Sequence, residues 1–249
     1  MKREKKEYLT EIYIIVIPII LGIDLYLRMM QEAVVNIKGG PCLYDTYIIA
    51  AMYGISLYIV PFVLYYVLRI VERQLNSIYI IRMVTIRKVW WTQIKKILVN
   101  SVLFSFYITI VTGVIGITYT KKIYNWDLAE SRGSRAAGKV ITERTPLLEI
   151  ILCFFVMTFT VLTITAIIML LTWWFSSSFL LGYITSLIIV FLEDNIINYG
   201  IFWRLYKMTM GMCVKRISVC QMFVYPLCLI ILAVVLSCIL VPKRDFWQK

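Results

Sequence analysis

The chain contains no histidine, and it has only 14 acidic residues against 26 basic ones. Without histidine it lacks the commonest general base, metal ligand and proton-relay side chain. It also has no complete GxxxxGK[ST] phosphate loop, no GxSxG sequence and no CxxC pair among its six cysteines. Because these patterns carry ATP binding, acyl transfer and zinc or thiol chemistry, their absence disfavours an enzyme.

The residues that are abundant are apolar. They make up 61% of the 249-residue chain, and the mean hydropathy is +0.83. Several apolar runs reach about 20 residues, the length that crosses a bilayer. The net charge of +12 comes from basic residues that flank these runs, which is the pattern of membrane topology signals and not of nucleic-acid binding. The composition therefore predicts a membrane protein that binds no nucleic acid.

The apolar runs predict an all-α polytopic fold in one transmembrane domain covering 1–249. Six spans are expected, at about 12–30, 47–70, 97–119, 147–171, 179–192 and 219–241. The first run follows a basic start but lacks a small-residue cleavage site, so it is interpreted as an uncleaved span. The segment 193–218 mixes aromatic and charged residues and is expected to form re-entrant or interfacial helices. The mixed charges of 119–146 favour a solvated external loop over one that binds headgroups or an acidic peptide.

Six spans place both ends on the same side of the membrane. With both ends in the cytoplasm, 14 basic residues lie inside and 11 outside, with Arg28 at a boundary. The excess is concentrated between spans two and three, close to the span ends, where the positive-inside rule has most effect. The sequence therefore predicts cytoplasmic termini in a multi-pass protein of the cell membrane, most naturally a bacterial inner membrane.

The stretch RMVTIRKVWWTQIKK, residues 82–96, carries five basic side chains, two adjacent tryptophans and no acid. Helical spacing from 86 to 97 predicts one apolar stripe, formed by Ile86, Val89, Trp90, Ile94 and Ile97. The opposite side is cationic and holds Arg87, Trp91 and Lys95, with Lys88, Thr92 and Lys96 beside them. Such a helix is either a juxtamembrane element on anionic lipid or a docking element for a soluble partner.

The segment from Glu72 to Leu98 resembles the region after the second span in permeases of the ABC type-2 exporter family. Glu72 and Arg73 match an acidic-basic pair, Asn76 and Ser77 match a polar turn, and apolar positions follow. The match ends with a basic element at Arg87 and Lys88 and with Lys95 before the next span. Three positions depart from the pattern: the turn lacks glycine, Thr85 replaces a common proline and Ile94 replaces a common glycine.

This resemblance implies a coupling helix at about 77–91 that docks into a groove of a cytoplasmic ABC ATPase. The residues expected to carry the coupling are Glu72, Arg73, Arg82, Arg87, Lys88, Trp90, Trp91 and Lys95. Tryptophan and arginine are often energetically central in protein interfaces. For Lys95 and Lys96, headgroup contact at the foot of span three is an equal alternative. The chain would bind no cofactor, because ATP and Mg²⁺ would lie on the partner ATPase.

The implied assembly has two ATPase subunits and two permease chains, which are identical or related. Its cargo would be an amphipathic or hydrophobic molecule, first of all an antimicrobial or toxin peptide, and lipid-linked or drug-like molecules second. Aromatic residues and methionines of the spans could line its path, although helix packing explains them equally well. The main alternative is a membrane-bound immunity or scaffold protein that acts by binding, without an ATPase. A polytopic enzyme and a proton-coupled carrier are disfavoured, because histidine and mid-membrane carboxylates are lacking.

Two further polar clusters are candidates for a gate or substrate path. Asp24 and Arg28 lie four residues apart and either pair with each other or mark a span end, with Arg28 reaching the headgroups. Glu193, Asp194 and Asn195 follow span five and form either an outer gate or simply the end of that span. Cys42, Cys213 and Cys220 lie in connecting regions, and a disulfide among them is a minor alternative to free thiols.

Overall fold

A computed structural model describes residues 16, 19–20, 22–30, 40–54, 61, 65, 67, 85–120, 122–138, 140, 146–174, 184–185, 188–189, 192–193 and 219–240. All regular secondary structure in these ranges is helical, which confirms the all-α prediction for this part of the chain. The helices with defined bounds are α1 (Leu43–Gly54), α2 (Ile86–Tyr119), α3 (Arg132–Ala137), α4 (Pro146–Trp174) and α5 (Val219–Leu240).

Three helical segments are long and apolar enough to cross a membrane. They are Ile86–Tyr119, Ile150–Leu171 and Phe223–Leu240, and they contain or coincide with most of predicted spans three, four and six. The chain thus has the character of a membrane protein. Spans one, two and five and the segment 193–218 lie partly or wholly outside the described residues. Six spans and cytoplasmic termini therefore stay predictions.

Exposed apolar stripes run along these helices. On α2 the stripe recurs every three or four residues and comprises Val99, Leu103, Phe106, Ile110, Val114 and Ile117, all between 49% and 67% exposed. On α5 it comprises Val224, Leu227, Ile231, Val235 and Ile239. Contiguous apolar surface of this kind is unfavourable in water and is matched by lipid hydrocarbon.

Helix α2 continues without a break through 97, the predicted start of span three. It is one continuous helix of 34 residues that begins at Ile86 and not near 97, so 86–91 do not form a separate coupling helix. No glycine or proline occurs between Ile86 and Gly113, so nothing interrupts the hydrogen-bond ladder. A helix of this length extends about 51 Å, well beyond a hydrocarbon core of about 30 Å. The upstream part of the predicted coupling helix, 77–84, lies outside the described residues.

The chain divides into two compact units, each built from separate segments. The first comprises Met1–Tyr58, Phe106–Phe155 and Tyr206–Ser218. In it, Gly113 and Gly116 of α2 allow α1 to approach closely. A Cβ on Gly116 would lie 2.5 Å from Leu43 Cδ1, and one on Gly113 would lie 2.5 Å from Tyr47 Oη. Small residues at helix contacts of membrane proteins have this function.

The helix directions in the first unit follow from the paired positions. Along α1, the contacts of Leu43 and Tyr47 fall on Gly116 and Gly113, so α1 is antiparallel to α2. The helical stretch 22–30 runs the other way. Gly22 faces Ile115, and the Tyr26 ring lies 5.4 Å from the Tyr119 ring, so this stretch is parallel to α2.

The described part of the predicted external loop contains helix α3 and packs on the start of α1, which the sequence did not predict, while many of its side chains are exposed as expected for a solvated segment. Trp126 is 1% exposed, and its ring packs on Gly133 of α3. Ser131 caps the N-terminus of α3 by accepting from the Ser134 amide, and Gly138 closes the helix with a positive φ of 67°. The Leu43 amide donates to the Lys122 carbonyl at 3.0 Å, which attaches the segment to the start of α1.

The second unit comprises Ile59–Ser105, Val156–Leu205 and Val219–Lys249. Gln93 and Ser101 of α2 contact Trp173 and Thr165 of α4, so these two helices are antiparallel. Phe159 and Thr163 of α4 contact Phe223 and Pro226 of α5, so α4 and α5 are parallel. The N-terminus of α2 therefore lies at the same end as the C-terminus of α4.

Candidate functional site at the N-terminal end of α2

The first turn of α2 carries charges that do not stabilise the helix. The carbonyl of Thr85 accepts from the amides of Lys88 and Val89 at 3.1 and 3.3 Å, so the helix starts at a residue type preferred for N-caps. Arg87 and Lys88 lie in this turn, and no acidic residue does. A cation there opposes the helix dipole and costs roughly 0.3–1 kcal/mol. Helix stability does not explain these two side chains, whereas an anionic partner would.

The two predicted faces of this segment are confirmed. Val89, Trp90 and Ile97 are buried, and Ile86 and Ile94 are partly buried. The cationic face is exposed and comprises Arg87, Lys88, Lys95 and Lys96, with Trp91 at 52% exposure. Trp90 and Trp91 make an edge-to-face contact at 4.8 Å. Because Trp90 is only 2% exposed, Trp91 is the tryptophan that a partner could reach.

Sequence reasoning missed a buried polar contact behind this face. Gln93 is fully buried, and its Oε1 accepts from Trp173 Nε1 at 3.0 Å. This bond also fixes the orientation of the amide, since only the oxygen can accept from an indole. Trp173 is buried, whereas the adjacent Trp174 is 61% exposed. A glutamine on a stripe of apolar residues was the available signal for the contact.

Two buried donors near this contact have no acceptor in the described part of the chain. They are Trp90 Nε1 and Gln93 Nε2, one helical turn apart. An unsatisfied buried donor costs about 1–3 kcal/mol. The buried amide of Gln93, near the start of α2, therefore has a partner for its oxygen but none for its nitrogen in this part of the chain.

An apolar groove begins one turn further along α2. Its volume is about 110 Å³, and it is open on one side. It is lined by Ile94, Ile97, Leu98, Leu162, Ala166, Met169, Ile230, Val234 and Ser237. The Ser237 hydroxyl donates to the Ala233 carbonyl of its own helix at 2.7 Å, so its proton is not available to an occupant, and the lining is almost entirely apolar.

Of the remaining coupling residues, Glu72, Arg73 and Arg82 lie outside the described residues. Lys95 follows the N-terminal turns of α2 on its exposed side. In the described part, the predicted coupling set is thus reduced to the exposed Arg87, Lys88, Trp91 and Lys95 and the buried Trp90.

The gate candidates have different outcomes. Arg28 Nε donates to Asp24 Oδ1 at 2.9 Å, so the two side chains form the ion pair that was one of their two interpretations. Asp24 is the more buried of the two, at 15% exposure. Glu193 is partly buried, and Asp194 and Asn195 lie outside the described residues. The interpretation of 193–195 as a gate stays a prediction.

A second buried polar cluster lies at the start of α1 and was not predicted. Asp45 is 1% exposed, its Oδ1 accepts from Trp126 Nε1 at 3.0 Å, and its Oδ2 accepts from the Cys42 amide at 2.9 Å. Burial raises the pKa of the Asp45 carboxyl above its usual range, and these N–H bonds and the charge of Arg132 oppose that shift. Asn125 Nδ2 adds a bond to the Gly40 carbonyl at 2.7 Å. Its contacts make this cluster an internal brace.

Cysteine and phosphate-loop chemistry find no support in these segments. Cys42, Cys228 and Cys238 are free thiols, so Cys42 forms no disulfide, and the side chains of Cys213 and Cys220 lie outside the described residues. Residues 133–139 match the first seven positions of a phosphate loop, but Val140 follows where serine or threonine is required. Gly133 also lies in helix α3 under the Trp126 ring, so this segment is not a phosphate-binding loop.

No family model, no curated protein and no solved structure matches this chain. The class of the molecule therefore follows from its own features: a helical protein with membrane-spanning character and an exposed cationic, tryptophan-bearing helix end.

Proposed function

We propose that this chain is the permease subunit of an ATP-driven ABC exporter. In this proposal it moves an amphipathic or hydrophobic cargo, first of all an antimicrobial or toxin peptide, out of the cell or membrane. A separate cytoplasmic ATPase supplies the energy, and it docks on the N-terminal end of α2. ATP and Mg²⁺ belong to that partner.

The exposed cationic end of α2 carries this proposal. Helix α2 is about 51 Å long and the hydrocarbon core is about 30 Å thick, so the N-terminal turns of α2 extend beyond the hydrocarbon as a rigid part of the same helix. This end holds Arg87, Lys88 and Trp91, whose side chains are exposed at a helix start that their charges destabilise. A partner that moves this end would move span three with it, because no break separates the two parts.

The helix directions support the predicted six crossings. The stretch 22–30 is parallel to α2 and α1 is antiparallel to it, as expected for successive spans one, two and three. In the other unit α4 and α5 are parallel. Two parallel crossings require the chain between them to return across the membrane. This requirement favours a fifth span between 174 and 219, with both termini on one side.

The remaining parts of the proposal rest on the resemblance and on charge. Two ATPase subunits, a second permease chain and a bacterial inner membrane are the assembly and location expected for a six-span chain of this family. The exposed apolar side chains along α2 and α5 suit an amphipathic cargo better than a small polar one.

The test is purification of the full chain from its native membrane in a mild detergent, followed by identification of what stays bound. We expect an ATPase in near-stoichiometric amount, which is lost from the double variant Arg87→Glu/Lys88→Glu. Lys122→Glu, also exposed but in the other unit, is the control and should retain the ATPase. A wild-type chain that purifies without an ATPase would contradict the proposal.

A membrane-bound immunity or scaffold protein is the second candidate. The same exposed basic face favours it, because such a face also suits direct binding of an anionic target. This candidate predicts that protection or target binding survives in cells that lack any partner ATPase, whereas an exporter would lose its activity there.

A further inference from the structure

The second unit combines an apolar groove with a cationic helix end, and their relative positions are fixed by helix geometry. Arg87 lies seven residues before Ile94, and Trp91 lies seven residues before Leu98. Seven residues are almost two full turns, so each pair shares a side of α2 with an axial separation of about 10 Å. The groove thus has Arg87 and Trp91 above one of its ends.

The exposed tryptophans place this end at the membrane surface. Trp91 of α2 and Trp174 of α4 are both more than half exposed. They lie at the same end of the unit, because Gln93 and Trp173 join the start of α2 to the end of α4. Tryptophan and arginine are favoured at the level of the headgroups. The headgroup region is roughly 6 Å deep in each leaflet, so a point about 10 Å further along the helix lies in hydrocarbon.

The size of the groove limits what can fill it. A volume of about 110 Å³ is smaller than the roughly 150 Å³ cavity that holds a benzene molecule. A helix about 10 Å wide could not enter it, whereas a few carbon atoms of a flexible chain could. The small side chain of Ala166 and the flexible one of Met169 leave this space between the helices.

The basic residues near the groove determine which headgroup is favoured on a molecule whose apolar chain fills the groove. Arg87 lies on the groove side of α2 and is exposed, as are Lys88 and Lys95 further round the helix, and the sequence from 82 to 98 contains no acid. The helix N-terminus adds partial positive charge at the same end. An anion at this level is therefore favoured over a zwitterion, with roughly 1 kcal/mol per basic residue near the surface as the typical scale.

We propose that this groove binds one anionic phospholipid, with an acyl chain between α2, α4 and α5 and the phosphate beside Arg87. This site does not depend on the proposed transport function, since it needs only the membrane's own lipid. Occupancy would fix the foot of α2 to the anionic leaflet.

The experiment is native mass spectrometry of the full chain in detergent, titrated with phosphatidylglycerol or with phosphatidylcholine of the same acyl chains. We expect one retained phosphatidylglycerol and weaker retention of phosphatidylcholine. Arg87→Gln should lower the affinity for phosphatidylglycerol about five-fold and that for phosphatidylcholine by less, because the choline cation offsets the charge of its phosphate. The matched control is Lys96→Gln. Lys96 is exposed but lies two residues from both Ile94 and Leu98, on the far side of the helix, so its loss should change the affinity less than two-fold.

The groove itself is tested by Ala166→Phe, which should abolish retention of both lipids while the chain stays monodisperse. If Ala166→Phe does not fold, Val234→Phe serves as the second variant, because it fills the same groove from α5. Equal losses in Arg87→Gln and Lys96→Gln would reveal diffuse surface attraction and overturn the site. Equal retention of the two lipids, undiminished retention in the filled variant, or a lipid-free dimer with the groove covered by a second copy would also overturn it.

Discussion

Single residues in this protein are used in two ways that the sequence alone does not separate. Trp90 and Trp91 are adjacent, yet one is buried and the other half exposed. Trp173 and Trp174 divide in the same way. In each pair the buried member contributes to packing, and the exposed member lies at the level expected for headgroups. A change at the first tests stability, and a change at the second tests binding.

The Gln93–Trp173 hydrogen bond should contribute more to stability than the indole N–H of the neighbouring Trp90, which has no acceptor in the described residues. Trp173→Phe would leave the buried Gln93 Oε1 without its donor and should destabilise the chain by about 1–3 kcal/mol. Trp90→Phe removes a donor that has no acceptor in the described residues, so its cost should be confined to packing. Thermal unfolding of both variants in detergent, followed by circular dichroism, measures the difference. Equal losses would mean that the bond contributes nothing beyond ring packing.

The buried carboxyl of Asp45 predicts a pH dependence. Its folded-state pKa is raised by burial, so the folded chain binds a proton more readily than the unfolded chain. This contribution to stability is complete below the unfolded pKa of about 3.9 and is lost as the pH rises through the higher folded value. Asp45→Asn should remove this part of the profile. We expect the unfolding midpoint of the wild type, relative to the variant, to fall from pH 4 upwards. A constant difference across that range would contradict the assignment.

At the scale of the element, long apolar runs were sufficient to locate helices and insufficient to locate their ends. Helices α4 and α5 were predicted within a few residues, as 147–171 and 219–241, because uninterrupted hydrocarbon length fixes a span. For α2 the sequence predicts a separate helix before a span that starts at about 97, because the amphipathic pattern of 86–97 fits a surface helix as well as the start of a longer helix. The burial of Gln93, Trp126 and Asp45 depends on partners about 80 residues away, which no local pattern reports.

Gly116 and Gly22 both lie at helix contacts of the first unit, but only Gly116 lacks room for a side chain, so Gly22 provides a control. A Cβ at Gly116 would come within 2.6 Å of side-chain atoms of both Leu43 and Thr46, so Gly116→Ala requires these buried side chains or α1 itself to shift and should destabilise the first unit. At Gly22 the nearest atom is Ile115 Cδ1 at 3.8 Å, an ordinary contact. Gly22→Ala should therefore be neutral or stabilising by up to about 1 kcal/mol. Detergent unfolding midpoints compare the two variants. The prediction is lost if Gly116→Ala is as stable as Gly22→Ala.

At the scale of the whole molecule, the direction of each helix determines which helix ends lie on the same side of the membrane. Side-chain contacts within the second unit show that α4 and α5 are parallel and that α2 and α4 are antiparallel. If all three cross the bilayer, the starts of α4 and α5 face one side, and the start of α2 faces the other. The cationic end of α2 then lies with the C-terminal ends of α4 and α5. This relation holds whichever partner binds that end.

Labelling from the two sides of the membrane tests this relation. In a variant whose native cysteines are replaced, single cysteines at Arg87, Trp174 and Val219 would be treated with a membrane-impermeant maleimide in intact cells and in inverted vesicles. Positions 87 and 174 should react from one side, because Trp173 contacts Gln93, and position 219 from the opposite side, because α5 runs parallel to α4. With cytoplasmic termini, 87 and 174 react only in inverted vesicles. Reaction of 174 and 219 from the same side would exclude a return crossing between α4 and α5 and, with it, the six-span topology on which the exporter proposal depends.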